Sequence, residues 1–526
     1  AFTTNVCIMV QGELALENQL IKQLTSIGYS TVDVQSEESL LANLKAQIEK
    51  RKNTSLSDLE FKKVLNILNK GTIFERAKTL RGQQRIERDN GEDLYFYFLD
   101  KDNWNSNTFQ VTNQVTIEGV YKNRYDVTIL VNGLPLVQIE LKRRGVEMAE
   151  AFHQIVRYKK SSFASGSALF QYVQLFVISN GVNTKYFANN KSLNVKQTFY
   201  WGDINNKKIS NLSDFADSFL EPHHLHKMLS KYIVLAETEK ALMVLRPYQY
   251  YATEKIISTV ENSTNNGYVW HTTGSGKTLT SFKASQLLMD NPEVFKVVFV
   301  VDRRDLDFQT TKEFNNFSDG SVDGTDNTKA LVKQFGDDTK LIVTTIQKLN
   351  NAIGSSRYEN TMTHLQDKRI VFIFDECHRT QFGETHKRIK KHFLNSQMFG
   401  FTGTPIFADN AVKNQLGKRT TKELFGDCLH KYVITDAIKD ENVLRFSIEY
   451  VGRYKQKKTS SLNFVDIDVE AIDTREVLES DDRLEKITDY IIQNHNRKTH
   501  NEGNSNVKNF TAMFCVSSVS VLKKYY

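Results

Sequence analysis

The features that mark membrane or secreted proteins are scarce in this sequence of 526 residues. No apolar run approaches the roughly 20 residues needed to span a bilayer. The N-terminal residues lack the basic-then-apolar pattern of a secretory signal. The four cysteines lie far apart without metal-type spacing, so we expect reduced thiols and no disulfides. These absences predict a cytoplasmic protein that does not associate with a membrane.

Proline is also rare, and with only 5 prolines the linkers between domains are hard to place by composition. The length exceeds what one hydrophobic core organises, which predicts about three domains. Hydrophobic residues make up 40% of the chain and charged residues 25%, which is ordinary for a globular protein. The formal net charge of +7 is spread over a long chain and is only a weak indication of polyanion binding. Function must therefore be inferred from motifs.

A glycine-interrupted turn, His271–Thr278, stands between a short apolar run and a helical pattern. Such a turn leaves backbone N–H groups free to wrap phosphates, while its lysine reaches the outer phosphates and its hydroxyl helps to hold Mg²⁺. The helix N-terminus would also point at the anion. A surface turn could explain the motif taken alone, since His271 replaces the usual small residue. The predicted phosphate-binding residues are Thr273, Gly274, Ser275, Gly276, Lys277 and Thr278.

A second charged motif follows the apolar run 371–374, which reads as a fully buried strand. Asp375 and Glu376 would lie at its C-terminal end, where ligands bind in open α/β sheets. Asp375 can hold the Mg²⁺ and Glu376 can polarise the attacking water. His378 ends this Asp-Glu-Cys-His tetrapeptide and is counted with the nucleotide-binding residues. A charged strand-end loop is the alternative, but the phosphate loop about a hundred residues earlier favours an ATP site.

In combination these motifs resemble the motor core of superfamily 2 helicases and translocases. Residues 246–249 resemble the adenine-reading motif, with Gln249 as its glutamine. Residues 299–303 and 344–348 resemble motifs Ia and Ib, which touch the nucleic-acid backbone, and residues 402–405 resemble motif III, which couples hydrolysis to strand movement. The resemblance implies an α/β fold with a RecA-like parallel sheet, and ATP and Mg²⁺ as cofactors.

In the N-terminal part, helices are expected over about 12–28, 38–50 and 56–69, followed by a strand-rich region. Two alternating apolar runs around Asn132-Gly133 then predict a β-hairpin. Their apolar faces bury on the same side only if Val127 lies opposite Ile139 or an even step away. A plain two-residue turn would not give this pairing, so we expect a three-residue loop or a bulge near 132–134.

The same register places Asp126 opposite Glu140 on the other, polar face of the hairpin. Two facing carboxylates repel each other unless they share a cation, which predicts a divalent metal site with both as oxygen ligands. Lys142 lies two residues along the same face and could steady the scissile phosphate or the attacking water. An exposed hairpin with ordinary charges is the alternative reading of these three residues. Basic residues at 142–144 and 157–160 could add a phosphate-backbone footprint or be a solvated face.

This arrangement resembles the PD-(D/E)xK nuclease fold, although the proline of that name is missing. Gln154 and Tyr158 lie one turn apart on the following helix and match the Q-x-x-x-Y element of the RecB-like branch. In these families an early helical glutamate often completes the metal site, and Glu17 is the candidate in this chain. The resemblance assigns Asp126, Glu140, Lys142, Gln154 and Tyr158 to nuclease catalysis.

These assignments divide the chain into three parts. Residues 1–235 are expected to form the nuclease domain with a connecting segment, and the polar stretch at about 202–240 is expected to be the connection to the motor. Residues 236–440 form the first RecA-like lobe, and residues 441–526 begin a second, truncated lobe, with strands near 446–450 and 510–516 and a helix over 484–496. The later family motifs, including the arginine that completes the ATP site, are not found. We therefore expect these residues to bind ATP weakly and to hydrolyse it poorly.

A RecB-like nuclease fused ahead of a superfamily 2 motor is similar to the motor (R) subunit of type I restriction enzymes. That resemblance implies ATP-driven translocation of double-stranded DNA followed by Mg²⁺-dependent cleavage. It also implies methyltransferase and specificity subunits as partners. Two alternatives remain open: a stand-alone repair helicase-nuclease, which would cut without partners, and a non-catalytic DNA-binding motor module, in which the carboxylate pair is structural.

Overall fold

The computed structural model describes residues 12–118, 122–161, 169–301, 304–317, 327–377, 382–409, 420–449, 480–500, 510–516 and 518–526. The chain divides into two compact units, residues 1–446 and 447–526. None of the helices in the described ranges is long and apolar enough to cross a bilayer.

The first 245 residues combine seven helices with twelve strands in the part that the structure describes. The helices are α1 (Glu13–Ser26), α2 (Glu37–Lys52), α3 (Asp58–Leu68), α4 (Ile73–Arg81), α5 (Met148–Ser161), α6 (Leu212–Phe219) and α7 (Pro222–Lys227). The strands are β1 (Ser30–Thr31), β2 (Gln83–Glu87), β3 (Asp93–Tyr97), β4 (Phe109–Glu118), β5 (Lys122–Val131), β6 (Leu134–Leu141), β7 (Leu175–Ser179), β8 (Thr184–Ala188), β9 (Trp201–Gly202), β10 (Lys208–Ile209), β11 (Ile233–Ala236) and β12 (Ala241–Val244). The three predicted N-terminal helices are confirmed as α1, α2 and α3.

Six of these strands form a mixed sheet in the order β1-β4-β5-β6-β7-β8. The β1–β4 and β6–β7 pairs are parallel and the other neighbours are antiparallel. Every residue of β6 is buried, because β6 is central and both of its faces are covered. The side predicted to be polar is therefore enclosed, so that charged groups on it are removed from water.

The β5–β6 hairpin has the predicted register, with Val127 opposite Ile139. Its turn has only two residues, Asn132 and Gly133, both at positive φ as a type I′ turn requires. The register instead shifts where Ile129 pairs with Val137 and Leu130 pairs with Pro135. The predicted three-residue loop is thus wrong, and the bulge lies beyond the predicted place. Proline lacks the N–H that a central strand needs, which accounts for a bulge beside residue 135.

The second part of the first compact unit, after residue 245, is a parallel sheet with helices around it. Its helices are α8 (Pro247–Asn262), α9 (Lys277–Met289), α10 (Arg304–Phe317), α11 (Thr328–Gly336), α12 (Ile346–Gly354), α13 (Glu359–Thr363), α14 (Phe382–His392), α15 (Thr421–Phe425) and α16 (Ile434–Lys439). Its strands are β13 (Gly267–His271), β14 (Lys296–Val301), β15 (Leu341–Thr345), β16 (Ile370–Phe374), β17 (Ser396–Thr402) and β18 (Asp427–Tyr432). They lie in the order β15-β14-β16-β17-β13-β18, and all neighbours are parallel. The predicted RecA-like α/β arrangement is confirmed.

The segment expected to connect the two sheets is folded rather than extended. Residues 202–240 contain α6, α7 and β11, and their apolar side chains belong to the same core as the N-terminal sheet. Phe219 packs against Trp201, with ring centroids 5.0 Å apart. The sequence looked polar in this segment because the apolar positions are spaced along short helices, so their packing was not apparent from composition.

In the second unit the described residues form two helices, α17 (Asp481–Lys498) and α18 (Val519–Tyr525). The predicted helix over 484–496 is confirmed within α17. The strands predicted near 446–450 and 510–516 are wrong for the residues described, since 446–449 and 510–516 adopt no regular structure. A strand needs a hydrogen-bonding neighbour, and the described part of this unit contains no strand that could supply one.

Candidate functional sites

The hairpin β5–β6 brings together the acidic and basic residues predicted to act in nuclease chemistry. Asp126, Glu140 and Lys142 are all buried, with 9%, 0% and 9% of their surface exposed. Asp126 Oδ2 accepts a hydrogen bond of 2.8 Å from the backbone N–H of Leu141. Lys142 Nζ donates to Glu140 Oε1 at 3.1 Å and to the Leu141 carbonyl oxygen at 3.0 Å. The three side chains therefore occupy one enclosed polar cluster.

Burial and mutual repulsion make both carboxyl groups hard to ionise. Desolvation raises the pKa of Asp126 to about 6, against the lowering effects of the Leu141 N–H and of Lys142. Desolvation and the charge of Asp126 together hold the pKa of Glu140 well above its ordinary value. Lys142 offsets only part of this effect, so the pair needs further positive charge to be fully ionised.

Glu17 lies in the same neighbourhood but is held by amides. Its carboxylate accepts hydrogen bonds of 2.6 Å from Gln114 Nε2 and of 3.3 Å from Asn113 Nδ2, and its charge helps to raise the pKa of Asp126. Within the described ranges, no three His, Cys, Asp or Glu side chains are close enough together to hold a metal ion. The structure thus places Glu17 near the carboxylate pair without making it a third ligand.

The carboxylate pair nevertheless fits Mg²⁺. Glu140 Oε2 is buried and has no hydrogen-bond partner among the described residues. An orphaned carboxylate oxygen beside a second carboxylate with a raised pKa is a donor set that a hard cation would satisfy. Mg²⁺ in proteins is commonly held by only one or two carboxylates, with water and substrate phosphate as the other ligands. Asp126 and Glu140 are sufficient for that arrangement.

Gln154 and Tyr158 of α5 are joined to each other and to the hairpin. Gln154 Nε2 donates to the Tyr158 hydroxyl, which donates at 2.9 Å to the carbonyl oxygen of Arg124 in β5. Burial and the charge of Glu140 raise the pKa of Tyr158 far above its ordinary value, so this hydroxyl remains protonated. The structure thus brings the two side chains together and connects α5 to β5 through the Tyr158 hydroxyl.

The phosphate loop joins the carboxyl end of β13 to the N-terminus of α9. Gly274 and Gly276 have φ values of +79° and +77°, in the left-handed region that glycine adopts without strain. A Cβ on Gly276 would also lie 2.7 Å from Gln249 Nε2. Ser275 is buried, whereas Thr273, Gly274 and Gly276 are exposed. The loop is therefore a tight turn with an exposed backbone.

Gln249 and Tyr248 hold this loop from α8. Gln249 Nε2 donates at 3.1 Å and the Tyr248 hydroxyl at 2.8 Å to the carbonyl oxygen of Ser275. Gln249 was predicted as an adenine reader, and in the structure its side-chain amide contacts the loop backbone. The same amide's oxygen accepts a hydrogen bond of 3.0 Å from the backbone N–H of Arg246, which orients the side chain.

Asp375 and Glu376 follow β16 and face the phosphate loop. Lys277 Nζ lies 3.3 Å from Glu376 Oε1. Burial and the neighbouring Glu376 raise the pKa of Asp375 to about 6, and Lys277 opposes this rise. Glu376 has a φ of +47°, an uncommon conformation for a residue with a side chain and one that often occurs at functional sites. Thr278 is the second residue of α9, next to Lys277, and His378 lies outside the described residues.

The remaining motifs lie around the same sheet edge. Gly403 of the predicted motif III is close to the loop, since a Cβ there would lie 3.4 Å from the backbone nitrogen of Thr273. In motif Ib, the Thr345 hydroxyl accepts a hydrogen bond of 3.3 Å from the backbone N–H of Lys348 and so caps α12. Gln347 of the same motif is exposed. Within the motif Ia segment, residues 302 and 303 lie outside the described residues.

Sequence reasoning missed a buried aromatic and histidine cluster behind the phosphate loop. His271 Nε2 and His430 Nδ1 are 3.0 Å apart, and the rings of Tyr248 and Tyr432 stack with centroids 3.7 Å apart. The Thr272 N–H donates at 2.9 Å to the Tyr432 carbonyl oxygen. The unusual His271 was the only local signal, because its partner belongs to β18, about 160 residues later.

Comparison with known families agrees with this architecture. Residues 11–195 match the family described as type I restriction enzyme R protein N terminus, and residues 248–483 match SWI2/SNF2 ATPase. The fold and the second match define an ATPase with a helicase-like parallel sheet, preceded by an N-terminal domain of the restriction-enzyme type.

Individual relatives narrow the assignment. The chain is 47% identical over 523 residues to the Type I restriction enzyme SauMRSORF196P endonuclease subunit of Staphylococcus aureus (strain MRSA252), covering 98% of this chain and 55% of that protein. It is 39% identical over 262 residues to the EcoprrI endonuclease subunit of Escherichia coli, covering 48% of this chain and 83% of that protein. The chain belongs to the family of type I restriction enzyme endonuclease subunits.

The matches also define the extent of the similarity. The chain spans about half the length of the S. aureus relative, of which it covers 55%. A solved structure of the ATP-dependent Type ISP restriction-modification enzyme LlaBIII bound to DNA is 19% identical, with a TM-score of 0.29, and covers 60% of this chain and 22% of that one. That score is too low to add to the assignment, which rests on the sequence relatives.

Proposed function

We propose that this chain translocates double-stranded DNA with the energy of ATP and cleaves it with Mg²⁺, as part of the restriction subunit of a type I restriction-modification complex. The observation that carries the proposal is the presence, in one compact unit, of an enclosed Asp126–Glu140–Lys142 cluster and an open phosphate loop facing Glu376. Residues 1–235 would act as the nuclease, 236–440 as the first motor lobe and 441–526 as the start of the second.

In the nuclease step the hairpin residues would bind and orient the scissile phosphate. Mg²⁺ held by Asp126 and Glu140 would supply Lewis-acid polarisation of that phosphate and a more acidic bound water. Lys142 Nζ, now 3.1 Å from Glu140 Oε1, can donate to a phosphate oxygen or to the attacking water. The Leu141 N–H keeps Asp126 aimed into the cluster at 2.8 Å. Gln154 and Tyr158 would fix the distance of α5 from this point.

In the ATP step the phosphates would enter the turn between β13 and α9. Lys277 would leave Glu376, 3.3 Å away, for the outer phosphates, and Glu376 would then orient the attacking water. Thr278 and Asp375 would hold Mg²⁺ there, and its charge would keep Asp375 ionised despite a pKa of about 6. Gly403 lies against Thr273, so a change in the loop on hydrolysis would reach motif III directly.

The partners in this proposal are DNA, a methyltransferase subunit and a specificity subunit, all acting in the cytoplasm. The S. aureus and E. coli relatives are subunits of restriction enzymes, which supports an assembly of this kind for the present chain. Sequence recognition would come from the specificity subunit, while this chain supplies movement along DNA and the cut.

The test is cleavage of unmethylated circular DNA by the full-length protein that contains this chain, with Mg²⁺ and ATP, with and without the two partner subunits. Glu140→Gln should abolish cleavage while ATP hydrolysis continues, and Glu376→Gln should abolish both. Glu38→Gln, an exposed carboxylate in the first turn of α2, is a matched control that should leave both activities intact.

Each other outcome would change the assignment. Cleavage without partners would favour a stand-alone helicase-nuclease. Unchanged cleavage by Glu140→Gln in a competent assembly would make the carboxylate pair structural. Persistent ATP-dependent cutting by Lys277→Ala would contradict the coupling of cleavage to the motor.

A further inference from the structure

A cavity of about 720 Å³ lies between the N-terminal part of the first unit and the motor helices α8 and α9. Its wall is formed by residues of α4, α7, β11, α8 and α9. Small-molecule sites in proteins usually measure roughly 300–1,000 Å³ and contain a few convergent polar groups. The volume is therefore that of a binding site, and it is separate from the phosphate loop and from the carboxylate hairpin.

Two cationic side chains on this wall are largely enclosed by protein. Lys283 of α9 is 5% exposed, and its Nζ donates to Gln286 Oε1 at 2.7 Å. Arg81, at the end of α4, donates to the carbonyl oxygens of Ala77 at 2.7 Å and Leu229 at 2.6 Å. The Nε of Arg81 is buried and has no hydrogen-bond partner among the described residues. Neither cation forms a salt bridge among those residues.

These cations repel each other. Desolvation lowers the pKa of Lys283 to about 7, and the charges of Arg81 and Lys231 add to the effect. Desolvation alone lowers the pKa of Arg81 to about 10, with no carboxylate opposing it. Lys231, which also lines the cavity, is exposed. Three positive groups thus share one region of the wall, and the charge of Asp290 opposes their effect on Lys283.

The carboxylates that line the cavity offset the positive charge of Arg81, Lys231 and Lys283 only in part. Glu254 Oε2 lies 2.8 Å from Lys227 Nζ, and Glu254 Oε1 accepts a hydrogen bond from the Tyr232 hydroxyl. Glu237 forms salt bridges with Lys78 and Lys240. Asp102, Glu261 and Asp290 complete the acidic lining, and of these only Asp290 acts on Lys283. A buried cation without a counter-charge is costly. An anion in the cavity would remove that cost.

We propose that this cavity binds a small phosphate-bearing anion through Arg81, Lys231 and Lys283. Phosphate oxygens accept several hydrogen bonds at once, and guanidinium and ammonium groups are their usual donors. Lys283 can exchange Gln286 for a phosphate oxygen, Lys231 is exposed on the wall, and the guanidinium of Arg81 adds positive charge beside them. The bound anion would connect α4 of the N-terminal part with α9, the helix that begins at Lys277.

The site differs from the ATP site although both use α9. Lys283 is six residues after Lys277, which corresponds to about 9 Å along the helix axis. Lys277 faces Glu376, at 3.3 Å, whereas Lys283 lines the cavity beside Arg81. A phosphate compound could therefore occupy either place, and an experiment must remove one to see the other.

The experiment measures binding of inorganic pyrophosphate to this chain by titration calorimetry in a Lys277→Ala background, which weakens the phosphate loop. We expect one pyrophosphate to bind per chain. Adding Lys283→Met should reduce the affinity at least tenfold, and adding Lys231→Ala, at an exposed position, should reduce it about threefold. Adding Lys255→Met, an exposed lysine of α8 outside the cavity wall, should leave the affinity unchanged.

A parallel titration with ADP identifies the source of the phosphate. Binding of ADP in the same background, with the same dependence on Lys283 and Lys231, would assign the cavity to nucleotides. Binding of pyrophosphate alone would assign it to inorganic phosphates. Loss of all pyrophosphate binding in Lys277→Ala, or equal affinity in the Lys283→Met and Lys255→Met variants, would overturn the proposal. Thermal unfolding of each variant without ligand verifies that it is folded.

Discussion

The two candidate sites each contain an aspartate whose pKa is raised by desolvation to about 6, yet they differ in how the second carboxylate is held. In the hairpin, Glu140 is fully buried on a central strand beside Asp126. Beside the phosphate loop, Glu376 is partly exposed, follows the end of β16 and leans on Lys277. The first carboxylate pair is therefore enclosed within the sheet, whereas the second lies at a strand end that a ligand can reach.

This difference suggests a division of labour. A fixed pair of carboxylates suits a metal that must always occupy the same place relative to a phosphate. A carboxylate at a strand end suits a cycle in which nucleotide binds, reacts and leaves. Each second carboxylate is paired with a lysine, Glu140 with Lys142 at 3.1 Å and Glu376 with Lys277 at 3.3 Å. The two sites differ because the backbone of a central strand allows less adjustment than the end of a strand.

The largest expected effect is on two reaction rates, ATP hydrolysis for the site at the phosphate loop and DNA cleavage for the site in the hairpin. Glu376→Gln should lower kcat for ATP hydrolysis by about 10² to 10⁴ fold while ATP still binds, because the water loses its orienting group. Glu140→Gln should leave ATP hydrolysis unchanged and lower the DNA cleavage rate by a similar factor in the full assembly. Steady-state hydrolysis and single-turnover cleavage measure the two. Equal loss of ATP hydrolysis in both variants would show that the sites are not independent.

The next effect concerns pH and stability without divalent ions. The folded pKa of Asp126 is about 6 and its ordinary value is 3.8, so between these values the folded state binds the proton more tightly. The free energy of unfolding should therefore fall as the pH rises from about 4 to about 6, by at most about 3 kcal/mol for this group. The pKa of Asp375 is also raised from 3.8 to about 6, so this residue should lower the free energy of unfolding over the same pH range.

Denaturant unfolding at several pH values, for Asp126→Asn and Asp375→Asn separately, measures each contribution. In each variant the free energy of unfolding should depend less on pH than in the wild type. Asp33→Asn, at an exposed position, should leave that pH dependence unchanged. Added Mg²⁺ should stabilise the wild-type chain above pH 6 and act less on Asp126→Asn. A steeper decrease of stability with pH in either aspartate variant than in the wild type would contradict this assignment.

A smaller effect tests the rigidity of the phosphate loop. Gly276→Ala places a Cβ at a φ of +77° and 2.7 Å from Gln249 Nε2, so it should destabilise the loop by about 1–2 kcal/mol and weaken ATP binding about tenfold. Gly274→Ala has a φ of +79° but no atom within 4 Å of the added Cβ, and it should weaken binding less. Titration with a fluorescent ATP analogue compares them. Equal weakening would mean that the contact with Gln249 is unimportant.

The smallest effect concerns the cluster behind the loop. Tyr432→Phe removes hydrogen bonds to Asp440 at 3.0 Å and from Asn442 at 2.7 Å, and should cost about 1 kcal/mol of unfolding free energy. The stacked ring of Tyr248 remains, so ATP affinity should fall only two- to threefold. Tyr97→Phe, at an exposed position in β3, should change neither quantity. An ATP affinity equal to that of the wild type would show that the aromatic and histidine cluster does not help to position the phosphate loop.

Local patterns predicted much of the fold. The N-terminal helices follow from apolar spacing and from caps such as Ser57 with Glu60. The side chain of each of these two residues accepts a hydrogen bond from the backbone N–H of the other. The Val127–Ile139 register follows from alternation alone, because a one-residue slip would expose the apolar face. The strands predicted at 446–450 and 510–516 failed for the described residues, because alternation cannot supply a neighbouring strand.

The sequence by itself determined which residues form the hairpin, the phosphate loop and the acidic strand end, since each is a short run whose chemistry depends on adjacent positions. It also determined the family, through matches that span both sheets. The tertiary structure alone decided that Glu140 Oε2 is buried without a hydrogen-bond partner in the part of the chain that is described, that His271 contacts His430, and that Arg81 and Lys283 line a common cavity. These features join residues far apart in the chain, and their energies depend on burial, which no local pattern records.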